Sequence, residues 1–229
     1  MSEEESIQEP EPPRKSFRWR FWLLQIVLIA ILVGLVMPYV FTLKKKADQG
    51  CATCNIRQLG FALLEFEADF GSYPSEATAQ LVTNKNPNHG LDLSGVSSNA
   101  LFRQFFAARF TQSESMFYAW IPDGRKPDGD ISPGKLLEKG EVGFAYVAGL
   151  TAEGKPARPI AFTPIIPGTT RFDSKPFDGF ALVLRTDNSV RTYDIHKDGH
   201  IYDDKGISLL SPKNPIWDGE APDIRYPEL

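Results

Sequence analysis

The chain predicts an α+β fold: one transmembrane helix continues into a long amphipathic helix, which packs on an antiparallel β-sheet. Three observations carry this. Residues 21–42, FWLLQIVLIAILVGLVMPYVFT, hold no charge, and only Gln25 and Thr42 are clearly polar. Ala52, Ile56, Leu59, Leu63, Phe66 and Phe70 recur at spacings of 4, 3, 4, 3 and 4, the pattern of one buried helix face. After residue 116 the apolar runs become short and alternate with Gly, Pro, Asn and Asp, as strands and turns do.

As a helix, residues 21–42 span about 33 Å, enough to cross a hydrocarbon core of about 30 Å. A signal peptide has a shorter apolar core and a small-residue cleavage site. Pro38, Tyr39 and the cluster Lys44, Lys45 and Lys46 stand there instead, so the segment is expected to remain as a single-pass anchor. Residues 1–20 form an acidic tail and a basic collar. The five glutamates and three prolines of residues 1–13 predict disorder. Trp19 and Trp22 suit the headgroup level. Arg14, Lys15, Arg18 and Arg20 precede the span and three lysines follow it, so the positive-inside rule favours a cytoplasmic N-terminus by one residue.

Residues 21–46 are then the anchor and its basic flank, and residues 47–229 are one globular domain large enough for a real core. The first 46 residues hold seven of the 25 basic and five of the 29 acidic side chains, so residues 47–229 carry 18 against 24, a net charge of −6. That balance argues against a nucleic-acid partner.

Within the domain, the helix is expected over residues 47–70, stopped by Gly71 and Pro74. Residues 72–97 read as a long polar loop, and residues 99–110 as a second helix capped by Ser97 or Ser98. Residues 116–120 read as a short aromatic strand. Further strands are expected over residues 142–147, 160–165, 180–184 and 190–195, the last two joined by an Asp187-Asn188-Ser189 turn. The last twenty residues, with four prolines, are expected to wrap the surface. The sheet thus lies mainly within residues 116–203.

Candidate chemistry is thin. Cys51 and Cys54 are the only cysteines; they offer a redox or disulfide pair, but a thiolate-stabilising helix N-terminus is missing and a regular helix is poor disulfide geometry. Asp194, His196, Asp198, His200 and Asp203 form the densest ligand-like cluster. Residues 194, 196 and 198 share one side of a strand if pairing continues that far. Asp123, Asp128 and Asp130 make an acidic loop with Gly124 and Gly129. His89 stands alone. No G-x-S-x-G, H-E-x-x-H or phosphate-cradling glycine loop occurs, so no catalytic residue, cofactor or small-molecule substrate is predicted.

Specific residues also carry a resemblance. Cys54-Asn55-Ile56-Arg57-Gln58-Leu59-Gly60-Phe61-Ala62-Leu63, followed by Gly71-Ser72-Tyr73-Pro74, resembles bacterial type IV pilin-like and type II secretion pseudopilin-like proteins. In that family C-x-x-N-L-R-Q-[IL]-G-x-A-L precedes a G-x-[YF]-P turn, and residues 180–195 resemble its late hairpin. The resemblance implies a pilin-like fold, a bacterial inner-membrane location with a periplasmic domain, and non-enzymatic work through protein–protein contacts. Partners would be other envelope or pilin-like proteins, self-association included. It also implies calcium as the one ion to look for in the Asp123, Asp128 and Asp130 loop. The chain departs from the family in having no Gly-aromatic junction before the apolar run and no Glu early in it, so an unprocessed N-terminus is expected. The alternatives are a membrane-tethered periplasmic thiol-redox or metal-binding enzyme and a ligand-binding ectodomain.

Overall fold

In the computed structural model, residues 17–229 are described, without the side chains of residues 17, 18 and 20; the predicted disorder of residues 1–13 lies outside them. Helix α1 runs Phe17–Phe70, 54 residues with Pro38 inside. The chain divides into two compact units at Leu43 and Lys44. In the first, the apolar stretch leaves its large side chains exposed, from Trp19 through Phe41, and this helix is long and apolar enough to cross a membrane.

The second unit, Lys44–Leu229, is the α+β domain. Its elements are α2 (Glu76–Lys85), α3 (Ser98–Ala107), β1 (Ala145–Val147), β2 (Pro159–Thr163), β3 (Phe180–Arg185), β4 (Val190–Asp194) and β5 (Ile224–Arg225). The sheet is antiparallel throughout, in the order β4-β3-β2-β1-β5. Along each strand alternate side chains face opposite layers. Tyr146, Leu182 and Leu184 join Ala52, Ile56, Leu59, Leu63 and Phe66 of α1 in one core, together with Phe102 and Phe105 of α3. Ala145, Val147, Ala181 and Val183 face a second core with Ile201, Leu209, Leu210 and Trp217. The central strands β1, β2 and β3 are therefore buried on both sides, while the edge strand β4 is largely exposed.

That second layer corrects one expectation. The late, proline-rich segment covers a sheet face and supplies the edge strand β5, whose Ile224 pairs with Val147; Trp217 fixes it by donating from Nε1 to the Leu209 carbonyl at 2.7 Å. Two further expectations fail locally. Residues 72–97 contain α2, because Ser75 and Thr78 close a capping box at its start; only Thr78 and Val82 of this helix are buried, so it shows no apolar stripe. Residues 116–120 are not a strand. The stretch Glu114–Phe117 is a 3-10 turn capped by the Ser113 side chain, and the Phe117 carbonyl accepts one bond from the Gly143 N–H at 2.9 Å.

The other elements fall close to their predicted places. Gly71 ends α1 at φ +80°, its N–H returning to the Glu67 carbonyl at 2.7 Å, a backbone state that glycine adopts without strain. Tyr73 is fully buried, and its N–H bonds the Leu150 carbonyl at 3.1 Å. Tyr146 donates to the Pro74 carbonyl at 3.0 Å. The β3–β4 hairpin turns through Asn188 at φ +59°.

Gly60 is where α1 meets that hairpin turn. A Cβ there would lie 2.1 Å from Asn188 Oδ1 and 2.9 Å from Leu184 Cδ1. Gly60→Ala is expected to destabilise the domain by about 1–3 kcal/mol through overpacking. Asn188→Gly, compatible with the positive φ, should recover part of that loss. Urea unfolding of residues 44–229, expected to fold as a soluble unit, measures both; additive losses would place the clash elsewhere.

Candidate functional site

A groove of about 720 Å³ lies beside the Ala47–Asn55 stretch of α1. Its far wall is built by residues 112–120 and 126–129. Asn55 ties the two walls together, its Nδ2 donating to the Tyr118 carbonyl at 2.8 Å. Gly143 permits the packing behind that wall: a Cβ there would fall 2.4–2.7 Å from atoms of Ala119. Cys51, Cys54, Tyr118 and Trp120 give the groove its character, with Asp48, Lys126 and Asp128 supplying charge. Burial raises the Tyr118 phenol pKa, and the nearby Asp48 adds to it.

Cys51 and Cys54 are exposed free thiols on this groove. They sit inside α1, thirty or more residues from its N-terminus, so the helix dipole offers them nothing.

Beneath the groove lies a carboxylate network that sequence reasoning missed. Glu114 is 1% exposed. Its two oxygens accept the Leu137 N–H at 2.7 Å and the Gly129 N–H at 3.0 Å, pinning two loops to the 3-10 turn. Burial is the main cause of its raised pKa, while the Leu137 hydrogen bond opposes it. Glu141, fully buried, accepts the Glu138 N–H at 2.7 Å. Nothing in composition or spacing marks these two glutamates.

The Asp123, Asp128 and Asp130 loop does not assemble as a trio. Ligand oxygens of Asp128, Glu138 and Glu141 approach within 4.8 Å of one another, but a cation is already present. Arg125 Nη2 lies 2.5 Å from Glu138 and 3.1 Å from Glu141, and its hydrogen bond is the main reason the Glu138 pKa is lowered. Asp130 instead accepts from the N–H and hydroxyl of Ser132 at 3.0 and 2.6 Å.

The late cluster also resolves into turn chemistry. β4 ends at Asp194, so residues 194, 196 and 198 do not share a strand face. Asp198 accepts the His200 N–H at 3.0 Å and the Tyr202 hydroxyl; His196 packs edge-on to Tyr202. Asp203 accepts from the Lys205 and Ile207 N–H groups and from Asn214. His89 accepts the Leu91 N–H at 2.9 Å. Among the described residues, no three of these ligand types meet in the late cluster.

No family model matches the chain, and neither a curated protein nor a solved structure resembles it closely enough to show kinship.

Two outcomes test this geometry. Asn55→Ala should cost about 0.5–1.5 kcal/mol and speed hydrogen exchange in residues 113–120 more than in β3. Glu114 titrates in an uncommon direction. With its folded pKa above the ordinary value of about 4.3, the folded chain holds its proton more tightly, so this group adds stability as the pH falls through that window. The stability gap between wild type and Glu114→Gln should thus be wider at pH 5 than at pH 7.5. An unchanged gap refutes the assignment.

Proposed function

We propose that this chain is a membrane-anchored, non-enzymatic, pseudopilin-like envelope protein that works through protein–protein contacts. Its place would be in or beside a type II secretion or type IV pilus-like assembly, with the N-terminus cytoplasmic and the domain periplasmic. One observation carries the reading: a single helix, α1, supplies both a membrane-length apolar stretch and the core stripe of the folded domain. The motif residues support it by their structural work. Asn55 holds the 112–120 wall, Gly60 seats the hairpin turn, and Tyr73 and Pro74 dock the helix end against residues 146 and 150.

A second reading, a tethered thiol-redox protein, draws on one observation, the two exposed thiols on a groove of ligand size. Carbonate extraction, protease treatment of spheroplasts and cross-linked pull-down decide between them. The proposal expects a membrane-retained chain whose domain is digested from outside, and a captured partner with a similar apolar N-terminal helix. Cys51→Ser with Cys54→Ser should leave that capture intact. A thiol-disulfide activity that vanishes in the double variant would replace this reading with the second.

A further inference from the structure

The groove beside α1 gathers every thiol the chain possesses. Cys51 and Cys54 both line it, both are free and exposed, and there is no third cysteine. Three carboxylates, Asp48, Glu114 and Asp128, share the lining with one ammonium, Lys126. Asp48 and Cys51 both lie close to the Tyr118 phenol, where their charges add to the effect of burial. A groove lined in this way draws in a cation.

We propose that Cys51 and Cys54 form a two-thiolate site for one soft monovalent cation of the copper(I) class, held in the groove between α1 and the 112–120 wall. The inference goes beyond the proposed function and does not need the membrane anchor. Donor chemistry selects the ion. Thiolates favour soft metals such as copper(I) and zinc, whereas calcium takes six or more oxygens. A structural zinc ion takes four ligands. Among the described residues the one group of three close donors is Asp128, Glu138 and Glu141, which includes neither thiol. Two sulfurs without a third close donor suit an ion content with two ligands, and copper(I) is such an ion.

Helix geometry favours a metal over a disulfide at this spacing. Residues three apart on one helix have Cβ atoms about 5–6 Å apart, beyond the roughly 3.5–4.5 Å that a disulfide needs. Metal–sulfur bonds of about 2.3 Å set two sulfurs on opposite sides of an ion about 4.6 Å apart. Side chains on such Cβ atoms span that distance by leaning slightly toward each other. The same spacing that keeps the pair from closing on itself thus leaves room for an ion between the sulfurs. Binding breaks two S–H bonds, forms two metal–sulfur bonds and releases two protons to solvent, with no change in oxidation state. Affinity therefore rises with pH.

The test titrates the full chain, reduced and held in detergent under nitrogen, with copper(I) against bicinchoninate as competing chelator. The expected result is one copper per chain, both thiols shielded from N-ethylmaleimide, and tighter binding at higher pH. Either single Cys→Ser change should weaken binding by more than about 100-fold, beyond the cost of losing a supporting contact. Gln58 is exposed on the same helix. Cys54→Ser with Gln58→Cys keeps two thiols but separates them by about 10.5 Å of helix, and it should bind as weakly as Cys54→Ser alone. Wild-type affinity in that variant overturns the site, as does copper left wholly on the chelator, or a Cys51–Cys54 disulfide that forms on exposure to air. Release of the chain from its membranes by carbonate would overturn the proposed function and leave this site standing.

Discussion

Helix α1 can lay Ile56, Leu59, Leu63 and Phe66 against Tyr146, Leu182 and Leu184 only if nothing holds helix and hairpin apart. Burying each such side chain contributes about 1.5–3 kcal/mol, and only at full contact. Gly60 is the residue that allows it, because the Asn188 side chain and Leu184 occupy the space any Cβ would need. The rest of the domain builds on that contact. The Gly71 stop sends Tyr73 and Pro74 toward β1, α2 and α3 close the flank, and the groove exists because Asn55, five residues before Gly60, holds the facing wall.

A sheet whose centre is buried on both faces explains what could be read in advance. Its central strands are short and almost wholly apolar, the β2 and β3 segments reading PIAFT and FALVLR, so their existence was legible from hydrophobicity and turn residues. The α1 stripe was legible because its period is unmistakable, and so were the Gly71 stop and the Asp187-Asn188-Ser189 turn. What failed were elements whose stability comes from elsewhere. Helix α2 is held by a capping box and a Gln104 bridge to Ser75 and Thr78 rather than by an apolar face. The second covering layer, residues 195–217, is mostly irregular backbone ending in a 3-10 turn over Pro215–Trp217 and pinned by Asn214 and Trp217, and irregular backbone has no period to read.

The candidate site was less legible, for a related reason. Cys51, Cys54 and Asn55 could be singled out because rare residue types cluster in a periodic helix. Glu114 and Glu141 could not, since a carboxylate that satisfies backbone N–H groups looks in sequence like any surface glutamate. The acidic loop and the histidine hairpin erred in the opposite direction. Asp130, Asp198 and Asp203 are rich in ligand atoms but spend them on N–H groups two to four residues onward, which is why turns favour aspartate at all.

Helix α1 therefore carries two stripes with opposite obligations. The buried one is constrained by volume: Ala52, Leu59 and Leu63 must fit a packed interior, and Gly60 must stay small. The outward one contributes little to the core, and its two thiols line the groove. Exposed Phe61, about 100° round the helix from Gly60, gains no burial from its own domain, and exposed thiols add no packing. A change at Gly60 therefore alters stability while sparing the surface, and a change at exposed Gln58 alters the surface while sparing the core.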